Sequence, residues 1–206
     1  MPEVFATAWL NLFMEADLRE GERVLLHAGA SGVGTAAIQL CHAFSNPCFV
    51  TVGSQAKIDA CRELGAQAGW NRHDGSFVDA VKNWGGVDVV LDPVGGDYLD
   101  WNQQVLNLDG RIVLIAFMGG RETQIDLGRV LMKRQRLIGS TLRSRSAASK
   151  GSVMDALHAH VWPLLETGRI KPLVDRTFPI QEADAAMRYL EENSSTGKVL
   201  LGVSGA

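Results

Sequence analysis

The stretch His27-Ala28-Gly29-Ala30-Ser31-Gly32-Val33-Gly34-Thr35-Ala36-Ala37 decides how this chain is read. Before it, Arg23 to Ala28 is a short apolar-centred run that suits a strand buried in a parallel sheet. After it, Val33 to Phe44 carries a helical pattern. Between them, Gly32, Gly34 and Ala37 fit the spacing G-x-G-x-x-G/A, the fingerprint of a dinucleotide-binding loop. Each position has a mechanical reason. Gly32 permits a tight turn, Gly34 lets the backbone approach a pyrophosphate, and Ala37 keeps the helix close to the sheet. The helix N-terminus supplies free N–H groups and a partial positive charge. Glycines punctuate many turns, so the flanking strand and helix are what give the spacing its meaning.

Outward from this loop, helices and strands alternate. Glu3 to Asp17 is helical, with Val4, Ala8, Leu12 and Met14 on one side. Cys48–Val52, Ala68–Trp70, Val87–Leu91, Arg111–Ile115 and Leu137–Leu142 read as strands. Gln55–Leu64, Ser76–Trp84 and Tyr98–Leu106 read as the helices between them. Such alternation predicts an α/β fold, a doubly wound Rossmann-type parallel sheet with helices on both faces. From Lys150 a helix runs to Thr167, Pro172 to Phe178 is extended, Gln181–Glu192 is helical, and Lys198–Val203 is a last strand. The irregular stretch Ser140–Ser152 is the expected mobile segment. Residues 1–170 form the expected dinucleotide-binding unit with its preceding helix, and residues 171–206 a separate C-terminal segment.

Composition narrows the function. In 206 residues, 46% are apolar and 21% charged, which excludes disorder, collagen-like repeats and coiled coils. The net charge of −3 offers no global basic field for nucleic acid or an anionic membrane. No apolar run approaches the ~18 residues of a membrane span. The three cysteines suit a reducing cytoplasm better than secretion.

The end of the second strand selects the cofactor. Sites that prefer NAD place an acid about 20 residues past the first glycine, for the ribose 2′-hydroxyl. Here that place holds Val52-Gly53-Ser54-Gln55-Ala56-Lys57, and the next acid is Asp59. A small residue, a hydroxyl and a lysine suit a 2′-phosphate, and Arg72 after the third strand adds a second cation. Ser54 also reads as a helix N-cap, which is compatible with binding phosphate. The expected cofactor is NADPH rather than NADH.

Further motifs carry a resemblance. Gly53-Ser54-x-x-Lys57, Leu64-Gly65-Ala66, Leu91-Asp92-x-Val94-Gly95-Gly96, Asp109-Gly110-Arg111, Met118-Gly119-Gly120 and Gly139-Ser140-Thr141-Leu142-Arg143-Ser144-Arg145 follow in order after the glycine loop. The chain resembles the zinc-independent quinone oxidoreductases of the medium-chain dehydrogenase/reductase superfamily, the p53-inducible type within them in particular. The resemblance implies an NADPH-dependent reductase, commonly a homodimer, acting on quinones or enones. It implies that Ser31, Gly32, Val33 and Gly34 hold the pyrophosphate, and that Ser54, Lys57 and Arg72 meet the 2′-phosphate. Val94, Phe117, Met118, Leu142 and Arg143 would line the adenosine, ribose and nicotinamide. Full-length members begin with a GroES-like barrel domain. Pro2-Glu3-Val4-Phe5-Ala6-Thr7-Ala8-Trp9 resembles the hinge that follows it, so the chain is expected to be a cofactor domain whose C-terminal strand lacks its usual sheet.

Other candidates carry less. Cys41, Cys48 and Cys61 lack metal-ligand spacing, so no metal is assigned, and Cys41 in a helix and Cys48 at a strand start are expected to be core thiols. His27 either orients the phosphate loop or is a hydrogen-bonded core histidine; His158 and His160 receive no role. Asp92 reads as a turn-capping acid or as a catalytic base. The catalytic residue, and with it the proton donor, is left unassigned. From Gly128 to Met154 every charged residue is basic, which suits a solvated face, a draw for an anionic cofactor, or nucleic acid. Nucleic acid is not the expected partner, since the stretch lacks interleaved aromatics. Two alternatives stand beside the quinone reductase: an enoyl reductase on acyl thioesters, and a non-catalytic NADPH-binding or dimerisation module.

Overall fold

A computed structural model describes residues 2–203. Six parallel strands form the main sheet: β1 (Val24–His27), β2 (Cys48–Val52), β3 (Ala68–Asn71), β4 (Val87–Asp92), β5 (Leu106–Leu114) and β6 (Arg136–Gly139). Their order is β3-β2-β1-β4-β5-β6, so the chain reverses direction across the sheet between β1 and β4. Ligands of open α/β sheets bind at that reversal, beyond the strand C-termini.

Burial on both faces explains the near-continuous apolar strands. Successive side chains point to opposite faces. Val24, Leu26, Val50, Val52, Val89, Leu91 and Val113 pack into one core cluster. Leu25, Phe49, Val90 and Ile112 pack into the other. The first cluster lies under α1 (Pro2–Trp9), α2 (Gly32–Ala43), α3 (Gln55–Glu63) and α7 (Ala147–His160). The second lies under α4 (Val78–Trp84) and α5 (Leu99–Val105). The doubly wound architecture is as expected.

Several boundaries differ. The N-terminal helical stretch continues from α1 into a π-helical turn, Leu10–Glu15, where the Asn11 side chain donates to the Thr7 carbonyl at 2.7 Å and Ala16 N–H reaches Asn11 O. Helix α6 (Leu127–Lys133), capped by Asp126, was not anticipated; none of its residues is buried, so it carries no core-facing stripe to read. The single helix expected to Thr167 is two, because α7 ends at His160 and Pro163, which lacks an N–H, lies in the first turn of α8 (Trp162–Glu166). Strand β5 begins five residues before Arg111, and β6 stops at Gly139 rather than Leu142. Of Ser140–Ser152, the part from Ala147 onward lies in α7.

The C-terminal segment forms a small parallel unit: β7 (Val174–Pro179), α9 (Ala183–Glu191) and β8 (Lys198–Gly202). Strand β8 pairs with β7, the only strand it pairs with among the described residues.

Candidate functional site

The glycine loop leaves β1 through Ala28, which takes a left-handed turn (φ 52). Ser31 caps α2, its hydroxyl accepting the Gly34 N–H at 3.0 Å. The first N–H groups of a helix have no intrahelical acceptor, so that of Val33 remains for an anion. Gly34 admits no side chain, because a Cβ there would stand 2.4 Å from the Ala28 carbonyl oxygen. A Cβ on Gly32 would stand 2.4 Å from the Lys198 Cε. Gly32 and Gly34 thus present backbone alone, as a dinucleotide pyrophosphate would need, while the Lys198 side chain lies against Gly32.

Lys198 was not foreseen here. The C-terminal segment reaches back over the loop: Gly197 N–H donates to the Ala30 carbonyl at 2.8 Å, and Ser31 bridges Gly197. The Lys198 ammonium lies 3.7 Å from the Glu3 carboxylate. These residues are far apart in sequence, and no local pattern announces their meeting.

At the ends of β2 and β3, Ser54, Lys57 and Arg72 come together. Ser54 caps α3, accepting the Lys57 N–H at 3.3 Å. The Arg72 guanidinium passes over Gly53, 3.6 Å from where a Cβ would be. Partial burial and the Arg72 charge hold the Lys57 ammonium below its usual range, and its Nζ donates to the Asn193 carbonyl. Two like charges held together beside a capping hydroxyl are the groups that a doubly charged anion would need.

Beyond β4 and β5 two turns are locked together. Asp92 Oδ1 accepts the Val94 and Gly95 N–H groups at 2.7 and 3.0 Å, so the turn-capping reading of Asp92 holds. Met118 N–H donates to the Pro93 carbonyl and Gly119 N–H to the Val94 carbonyl. Val94 is half-buried, whereas the Phe117 and Met118 side chains are 61% and 71% exposed, with the Arg121 guanidinium over the Phe117 ring. Leu142 packs against the core, which leaves its backbone rather than its side chain for a ligand. Arg143 is exposed after β6, and its guanidinium has no partner among the described residues. From β2 to β6 the sheet spans roughly 19 Å, so Arg143 and the Lys57–Arg72 pair lie at opposite sides of the cleft.

Under these loops His27, Thr51, Asn102 and Asp92 are buried and hydrogen-bonded. Burial holds the His27 imidazole below its usual range, against the pull of the Asp92 charge and the Asn102 hydrogen bond. Thr51 and Asn102 sit inside a strand and a helix, where their spacing carries no signal.

Residues 32–158 match the family model for zinc-binding dehydrogenases. The chain belongs to that family. It is the cofactor-binding part of the medium-chain dehydrogenase/reductase superfamily. This family member is 36% identical over 205 residues to the spectinabilin polyketide synthase system protein NorB of Streptomyces orinoci, covering 98% of the chain and 9% of NorB. It is 30% identical over 207 residues to quinone oxidoreductase-like protein 2 of Bos taurus, covering 98% of the chain and 59% of the relative. Its fold superposes on the quinone oxidoreductase of Thermus thermophilus, solved also in complex with NADPH, with a TM-score of 0.85 and 29% identity, over 98% of the chain and 64% of that structure. The chain therefore spans under two thirds of the length of each.

The remaining candidates resolve simply. All three cysteines are free and buried, and burial pushes the Cys61 thiol up to about 12, which marks them as core thiols. No group of three or more His, Cys, Asp or Glu is placed to hold a metal among the described residues. His160 stacks on Trp9. In the basic stretch, Arg129 and Arg134 pair with Asp100 and Asp109 near the surface, and Arg145 pairs with the half-buried Glu15. No described helix is long and apolar enough to cross a membrane.

Proposed function

We propose that this chain is the NADPH-binding portion of a reductase that delivers a hydride to a quinone or another α,β-unsaturated carbonyl compound. The observation that carries the reading is the Ser54–Lys57–Arg72 cluster, two cations and a capping hydroxyl where an NAD site would place an acid. Residues 1–170 bind the cofactor. Ser31 to Gly34 take its pyrophosphate on backbone N–H groups and a helix N-terminus. Val94, Phe117, Met118, Leu142 and Arg143 line the remaining length of the cleft. Bound nicotinamide supplies the hydride; the residues of this chain bind, orient and shield it from water. No general acid is assigned to this chain, and residues 171–206 are read as the segment that joins a further, substrate-binding domain. The relation to quinone oxidoreductases favours quinones as acceptors. The 36% identity to a polyketide synthase protein favours a second acceptor class, an enoyl thioester.

The protein is read as a cytoplasmic homodimer. Strand β6 is the sheet edge, with Leu137 exposed on it and Leu131 and Met132 exposed on the neighbouring α6. An exposed edge of this kind pairs readily with a second copy.

The experiment is a titration with NADPH and separately with NADH, followed by tryptophan fluorescence and melting temperature. Selective NADPH binding supports the reading; equal binding of both would remove the 2′-phosphate assignment. Turnover with a simple quinone against an enoyl thioester then separates the two acceptor classes. NADPH binding without turnover by the full-length enzyme would leave a non-catalytic module.

A further inference from the structure

The buried polar side chains under the loops form one directional string. Asn102 Nδ2 donates to Asp92 Oδ2 at 2.9 Å, so the amide oxygen of Asn102 is the atom facing His27 Nε2 at 2.7 Å. An amide oxygen only accepts. Nε2 therefore carries the imidazole proton, and Nδ1 accepts from the Thr51 hydroxyl at 2.8 Å. At the far end Asp92 Oδ1 accepts the Val94 and Gly95 N–H groups. That turn in turn holds Met118 and Gly119 through the Pro93 and Val94 carbonyls. The string starts on β2, crosses β1 at the residue before the glycine loop, passes through α5, and ends in the turn after β4.

Its cost asks for a role. Asp92 and Asn102 are 0% exposed, and the Asp92 carboxylate has three N–H donors but no cation among its partners. Burying such groups is expensive, and apolar residues of similar shape fill a core as well. A fully satisfied polar network instead fixes one geometry. We propose that the His27–Asn102–Asp92 string is a positioning device, holding the glycine loop and the Asp92–Gly96 turn in a single register so that both meet the same dinucleotide. It rests on the NADPH reading above. None of the three needs to touch the ligand.

The test compares Asn102→Leu with Leu157→Ala, a core truncation in α7 on the opposite face of the sheet. Three readouts are taken on the whole chain: NADPH affinity, amide hydrogen exchange at Val94 and Gly95, and the His27 tautomer from two-bond proton–nitrogen spectra. Asn102→Leu is expected to weaken NADPH about tenfold and to speed exchange at Val94 and Gly95 relative to Val90 in β4. Leu157→Ala, with an equal or larger loss of melting temperature, is expected to leave both within twofold of wild type. His27 is expected in the Nε2–H form. Unchanged exchange at Val94 and Gly95 in Asn102→Leu, equal loss of NADPH affinity in the two variants, or an Nδ1–H histidine would each overturn the proposal. Exchange and tautomer need no ligand. A wild-type chain that binds no NADPH would therefore sink the cofactor reading, while these two readouts still judge the string.

Discussion

At the scale of single residues, the Arg72 guanidinium lies over Gly53 with the Lys57 ammonium near it, and the proposed choice of NADPH rests on this pair. A hydrogen bond to a charged group contributes roughly 1.5–3 kcal/mol. Arg72→Ala and Lys57→Ala should each raise the NADPH dissociation constant about tenfold or more and leave NADH within a factor of about two. Parallel titrations check this, and equal losses for both nucleotides would contradict it. Arg111 matters differently. It is 4% exposed and reaches the Ala16 and Asp17 carbonyls while gripping both Glu22 carboxylate oxygens at 2.7 Å. Burial raises the Glu22 pKa, but the Arg111 hydrogen bonds and the Arg19 N–H outweigh it and hold the carboxyl below 4.5. A depressed carboxyl contributes stability above its unfolded value that is lost as pH falls through the folded one. Melting temperature should therefore drop on acidification below about pH 4.5, and Glu22→Gln should flatten that part of the profile. Arg111→Met should cost about 3–5 kcal/mol in chemical denaturation, because it strands Glu22 and two carbonyls.

At the scale of elements, the start of α2 carries both stability and binding. Ser31→Ala removes the cap on Gly34 and should lower stability by about 1 kcal/mol. Gly34→Ala is more severe, since its Cβ meets the backbone carbonyls of Ala28 and Gly29 rather than a yielding side chain. It should abolish NADPH binding even where circular dichroism reports a folded chain. The same elements show what a sequence carries. Strand β2 and the β1–loop–α2 unit were legible to within a residue or two, because their apolar runs and glycine spacing are local. Helix α6 was not legible, since nothing on it is buried. The break between α7 and α8 had a local sign in Pro163 that the longer helical pattern obscured.

At the scale of the whole molecule, the proposed homodimer rests on the exposed edge strand β6. If β6 pairs with a second copy, Leu137→Lys on that edge should convert a dimer to a monomer in gel filtration or light scattering. NADPH at about 100 times its dissociation constant should add about 2.7 kcal/mol of stability, read as a rise in melting temperature.

The sequence by itself determined the doubly wound class, the phosphate loop, and the absence of an acid where NAD would need one. These depend on periodicity and spacing within about 30 residues, which a linear pattern preserves. Only the tertiary structure decided that Lys198 and Gly197 close over Ser31 and Gly32, and that His27 is tied to Asp92 through Asn102. The sheet order brings those residues together across long stretches of chain. Hydrogen bonds between side chains so far apart leave no period or spacing to read.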